Sequence, residues 1–137
     1  MSDLVITAAS VVKGSDAQTS DGIAGATVTA GQPVYQDAAD SDKWKPADGN
    51  ASLAAATVIG IALHASLAGQ PLKIQTLGDI TIGATVTVGG VYVLSATAGG
   101  IAPVADLASG NFTFIIGIGK TASVMTLVMK TAGVAVP

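Results

Sequence analysis

Apolar and polar residues alternate along Leu72-Lys73-Ile74-Gln75-Thr76-Leu77, the two-residue period of a half-buried strand. Shorter apolar runs bounded by Gly, Pro or Asp recur elsewhere: Gly25 to Thr29, Val34 to Gln36, Val58 to Leu67, Thr81 to Val88, Val91 to Leu94, Phe112 to Ser123 and Val124 to Lys130. Leu4 to Val12 reads as a first strand or an extended arm, followed by the polar, turn-prone stretch Lys13 to Gly22. Ala30-Gly31-Gln32-Pro33, its repeat at Ala68 to Pro71, and Gly89-Gly90 mark corners, because Gly permits positive φ and Pro presets its own φ while blocking a ladder bond. A short helical turn is predicted over Ala51 to Ala56, between the polar loop Asp37 to Asn50 and the strand from Val58. Short strands with Gly/Pro punctuation at this spacing predict an all-β barrel or sandwich.

Several of these runs occur twice. Sliding the chain by fifty-seven residues brings Ile59, Gly60, Ile61, Ala65 and Ser66 onto Ile116, Gly117, Ile118, Ala122 and Ser123. The same offset pairs Lys73 with Lys130 and Val34-Tyr35 with Val91-Tyr92, while Gly25-Ala26-Thr27-Val28-Thr29 matches Gly83-Ala84-Thr85-Val86-Thr87 at fifty-eight. With only two copies of so long a period, the pattern predicts a duplicated β-domain at 22–137, with copies at about 22–78 and 79–137, rather than a solenoid. Residues 1–21 are left as an N-terminal arm.

Composition sharpens this picture. Half of the 137 residues are apolar, yet only five are aromatic, so the core is built from small and β-branched side chains that each remove little area from water. Burial against other subunits would reinforce so thin a core. Glu and Arg are absent, which excludes a helical bundle. A net charge of −3 without Arg argues against a nucleic-acid surface. With no Cys, disulfides and thiolate chemistry are excluded. The start, Met1-Ser2-Asp3-Leu4, has no basic n-region and the apolar runs are broken by Gly. The expectation is therefore synthesis in a cytoplasm with no membrane association.

Candidate chemistry is sparse. Gly119-Lys120-Thr121 resembles the end of a phosphate-binding loop, but Phe114 stands where that motif needs its first Gly. His64 is the sole histidine, so neither a two-histidine metal site nor a histidine relay is completed within one chain. Asp37, Asp40, Asp42 and Asp48 would suit a hard cation, but Trp44 and Lys45 fall where an EF-hand needs Gly and oxygen ligands, and a solvated loop is the plainer reading. No catalytic residue, metal or cofactor is therefore expected, and no enzyme activity. Trp44, flanked by Lys43 and Lys45, is either an exposed interaction residue or a lid folded over the small-residue core. The arm is either a frayed terminus or a strand for a partner's sheet, with Leu4, Val5, Ile6, Val11 and Val12 as its apolar pegs. These five residues and Trp44 are the candidate partner-binding set.

The stretches Gly25-Ala26-Thr27-Val28-Thr29-Ala30-Gly31-Gln32-Pro33-Val34-Tyr35, Ile59-Gly60-Ile61-Ala62, Ala68-Gly69-Gln70-Pro71 and Gly78-Asp79-Ile80, with the second copy behind them, resemble the capsid cement, or head decoration, proteins of tailed bacteriophages. The resemblance covers roughly Gly22 to Gly133. It implies a compact β-rich protein, commonly a homotrimer, on the outer surface of the mature virion. There it would bridge major capsid protein subunits at local symmetry axes. It also implies that Ser2 to Val12 pairs with a capsid loop. The alternative is a receptor- or glycan-binding β-module of a phage fibre, which would need Trp44 exposed for stacking.

Overall fold

The computed structural model describes residues 3–137. Strand makes up 47% of the chain and helix 7%, so the fold is all-β, as the short strand patterns require. Ten strands follow in order: β1 (Val11–Lys13), β2 (Gln18–Ile23), β3 (Pro33–Asp37), β4 (Lys43–Pro46), β5 (Gly60–Ala62), β6 (Pro71–Ile82), β7 (Val91–Leu94), β8 (Ile101–Pro103), β9 (Phe112–Gly119) and β10 (Val124–Ala135). They form one curled antiparallel sheet of order β4-β3-β5-β6-β10-β9-β7-β8, with β1 and β2 also paired to β6. The anchor run expected from Val58 to Leu67 contributes only β5 to the ladder. The turn expected over Ala51 to Ala56 closes on Ser52, whose Oγ accepts from Ala55 N at 3.1 Å and whose carbonyl accepts from Ala56 N at 3.0 Å.

The sheet contains the duplication as two five-stranded units that share β6. The Pro71–Leu77 part of β6 pairs with β2 and β5, and the Gly78–Ile82 part with β10 and β1. The first unit therefore runs β4-β3-β5-β6-β2 and the second β8-β7-β9-β10-β6, strand for strand. Registers agree: Gln36 faces Trp44 where Leu94 faces Ile101, Val34 faces Gly60 where Tyr92 faces Gly117, and Asp21 faces Lys73 where Asp79 faces Thr126. Turn bonds agree too: Gly31 N donates to Ala62 O as Gly89 N does to Gly119 O, and Val28 N to Ser66 O as Val86 N does to Ala122 O.

This alignment corrects four sequence-based assignments. Ser66 corresponds to Ala122 rather than Ser123, since their carbonyls take the matching bonds from Val28 and Val86. Lys73 corresponds to Thr126 rather than Lys130, because the β5–β6 connection is longer than the β9–β10 turn. Val34-Tyr35 corresponds to Tyr92-Val93, not Val91-Tyr92. The first unit starts at β2, ahead of Gly22, so the supposed arm of residues 1–21 divides into a peripheral segment, β1, and a strand of the duplicated domain. Met1 and Ser2 of that arm lie outside the described residues.

The second unit opens at Gly78, within β6. Gly78 has φ +95°, and a Cβ there would stand 2.7 Å from Asp16 O, so both backbone conformation and space require glycine. Buried Gln75 braces the irregularity: its Nε2 donates to Leu77 O at 3.2 Å and to Asp79 O at 2.8 Å, the latter carbonyl also accepting from Gly14 N at 2.9 Å. Its Oε1 has no partner among the described residues.

The buried apolar residues form two clusters, the smaller confined to the first unit and the larger drawing on both. Ala24, Val28, Val34, Trp44, Ala62, Leu72 and Ile74 fill the first. Their counterparts Ile82, Val86, Tyr92, Ile101, Met125 and Leu127 belong to the second, larger cluster, which also takes in Ile61, Val58 and Val11 and is flanked by Leu4 and Ile6. Small and large residues exchange places between the two, with Ala24 and Val34 beside Trp44 in one and Ile82 and Tyr92 beside Ile101 in the other.

Candidate functional site

The two units differ in how their first and third strands meet. In the first unit, Ala24 of the segment after β2 forms a parallel bridge with Trp44 of β4, and Gly25 N donates to Trp44 O at 2.7 Å. The indole lies against Gly22, where a Cβ would sit 2.6 Å from the ring. Trp44 is 8% exposed, so it is the lid over the first interior rather than an exposed ring available for stacking.

In the second unit the residues corresponding to Trp44 and Gly25 are Ile101 and Gly83, and the N-terminal segment stands between them. Ile101 O accepts from Leu4 N at 2.8 Å, and Thr7 N donates to Gly83 O at 2.8 Å. Ile101 O, the counterpart of the Trp44 carbonyl that joins the strands directly in the first unit, is thus occupied by Leu4 N. Leu4 and Ile6 pack against the larger cluster, while Val5 between them is 87% exposed, the alternation of an extended strand. Glycines line the slot and leave room for this segment: a Cβ on Gly31 would lie 2.6 Å from Ile6, and one on Gly83 2.5 Å from Thr7 O. Asp3 Oδ1 accepts from Ser95 Oγ at 2.6 Å, which fixes the segment's start. After a single 3-10 turn at Ala8–Ser10, β1 continues along β6 with Val11 buried and Val12 56% exposed.

The six candidate partner-binding residues therefore divide. Leu4, Ile6, Val11 and Trp44 face their own chain's interior, and Val5 and Val12 face outward. Sequence reasoning missed Gly31, Gly83 and Ile101 as slot residues. The available signal was the mismatch between copies: Trp44 with Gly22 in one, Ile101 with Ile80 in the other.

Four lysines pair with four aspartates among the described residues. Lys45 Nζ lies 2.7 Å from Asp37 and 3.1 Å from Asp40, which takes two of the loop carboxylates considered for a cation. The hydrogen bond from Lys45 holds Asp37 below the usual carboxylate range, and Asp37, then Asp40, push Lys45 up. Asp79 accepts from Lys120 and, at 2.7 Å, from Thr126 Oγ1, and these two donors lower its pKa while Asp79 raises that of Lys120. Among the described residues, no three His, Cys, Asp or Glu side chains gather closely enough to hold a metal ion. His64 serves as a backbone cap: Nε2 accepts from Lys73 N at 3.0 Å, which leaves Nδ1 as the donor to Ala65 O at 2.9 Å.

No helix among the described residues is long and apolar enough to cross a membrane. No protein-family model matches the chain, and no curated protein or solved structure matches it either.

Proposed function

We propose that this chain is a structural adhesion protein of a tailed-phage particle, a decoration protein that binds the outside of the mature head and bridges major capsid subunits. The observation that carries the reading is the outer surface. Only 11% of the residues are charged, against about a quarter in an average soluble domain. Four of the six lysines stand within 4.0 Å of an aspartate, which takes part of that small charge into pairs. Val5, Val12, Leu67, Val88 and Val134 are each more than half exposed. Protein interfaces are depleted of charge at their centres in the same way. The sequence resemblance to capsid cement proteins supports the same reading. A homotrimer would present this surface three times, turning weak contacts into firm occupancy.

The test is cosedimentation of the purified protein with capsids that lack it, in precursor and mature forms. Saturable binding to mature shells, together with a raised disruption temperature of the decorated shell, is the expected result. Equal binding to both shell forms, or to neither, refutes the reading. Val88→Asp, at an exposed position, is expected to weaken binding while leaving the melting temperature of the free protein unchanged.

A further inference from the structure

The slot in the second barrel is built for an extended strand, and the strand that fills it is joined to the domain by one short tether. Its recognition chemistry is explicit. Ile101 O takes a backbone N–H, Gly83 O takes another two positions beyond Val5, and apolar side chains enter at alternate residues, here Leu4 and Ile6. The first barrel has no such slot, because Trp44 O is already bonded to Gly25 N. We propose that the slot is a strand-exchange site between copies of this chain: residues 3–13 of one copy close the second barrel of another.

Three observations carry this. The occupant is known to fit, since the same sequence is seen in the slot, and an exchanged copy would make the same hydrogen bonds and apolar contacts. Exchange of an identical element is for that reason a low-cost route to a closed oligomer, either a pair or a ring of donors and acceptors. Next, the tether is suited to opening. Residues 14–17 form a turn held by three hydrogen bonds, Ala17 N to Gly14 O at 3.2 Å, Gly14 N to Asp79 O at 2.9 Å and Asp79 N to Asp16 Oδ1 at 3.0 Å, with Ser15 and Asp16 exposed. Drawn out, four residues reach about 14 Å, enough to pass from one molecule to an adjacent one. Finally, the outer side of the segment is not packed in the single chain. Val5 and Val12 stand exposed, and an open cleft of about 370 Å³ is lined by Val5 together with Thr7, Ser10, Thr85 and Ser123. Exchange brings a second copy to that face.

The chain has no cysteine, so the exchange can be trapped at introduced sites. Asp3→Cys and Ser95→Cys are made in separate full-length chains, which are unfolded, refolded together and oxidised. A mixed disulfide dimer is expected, and it should be lost when Ile6→Asp is added to the Asp3→Cys chain. Mixed dimer at or below the level of that control overturns the proposal. Light scattering of the unmodified chain gives a reading that needs no cysteine. The expected result is an oligomer that Ile6→Asp converts to monomer, and a monomer in both cases overturns it. Both measurements are made without capsids, so they stand or fall separately from the decoration function.

Discussion

The first and second units share strand order, register and turn bonds, yet they close in different ways. In the first, one large side chain does the work. Trp44 spans the interior, lies on Gly22 and brings β4 against the end of β2. In the second, the corresponding pair is Ile101 and Ile80, neither large enough to span the gap, and Leu4, Ile6 and Val11 from the start of the chain make up the volume. Two copies of one strand pattern thus close differently, one by direct contact of Ala24 and Gly25 with Trp44 and the other through residues 4–7. The segment that completes the second unit lies before the repeated sequence.

The strongest way to break this contrast is Trp44→Ala. It should cost about 3–5 kcal/mol in denaturant unfolding, as for other buried aromatics cut to alanine. Hydrogen exchange should rise over the first unit while residues 80–82 and 124–127 keep their protection. Ile6→Ala comes next, at about 1–3 kcal/mol because the side chain is only partly buried. It should raise exchange at Thr7 and Leu4 without affecting Gly25, the reverse of the Trp44 result. Uniform loss of protection in both variants would mean that the units do not close independently.

Transplanting the second unit's pair into the first sharpens the comparison at a smaller scale. Gly22→Ile alone presses on the indole and should destabilise by about 1–3 kcal/mol as an overpacked site. Combined with Trp44→Ile it should lose less than the sum of the single changes, with a coupling of about 0.5–3 kcal/mol, since the two residues touch. Strict additivity would argue against their contact.

The smallest effect is electrostatic. Asp37 and Asp79 have folded pKa values below the ordinary one, so their contribution is present above about pH 4 and is lost as pH falls through the depressed values. Lys45 and Lys120 are shifted upward, so theirs holds below about pH 10 and fades as pH rises through the folded values. Asp79→Asn should flatten part of the acid limb of the melting-temperature profile. Added salt should reduce the difference, because the pairs are solvent-accessible.

Much of this was legible in the residues. Alternation at Leu72 to Leu77 marked a strand that β6 contains, and the paired Gly25 and Gly83 blocks marked the duplication that the sheet order displays. The lid position of Trp44 was one of two readings, and only the packing against Gly22 chose between them. The slot left one trace in the sequence, the exchange of Trp44 and Gly22 for Ile101 and Ile80, while its parts Leu4, Gly31, Gly83 and Ile101 carry no local signature as a set.

By itself, the sequence determined an all-β chain with a thin aliphatic core and two matched units, because period, composition and turn residues act within a few positions of each other. Tertiary structure decided which unit closes itself, where residues 4–13 lie, and that β6 belongs to both units. Those outcomes depend on register between strands far apart in the chain, where a slip of one residue turns every side chain to the opposite face. They depend also on whether one side chain is large enough to fill the space that its partner glycine leaves.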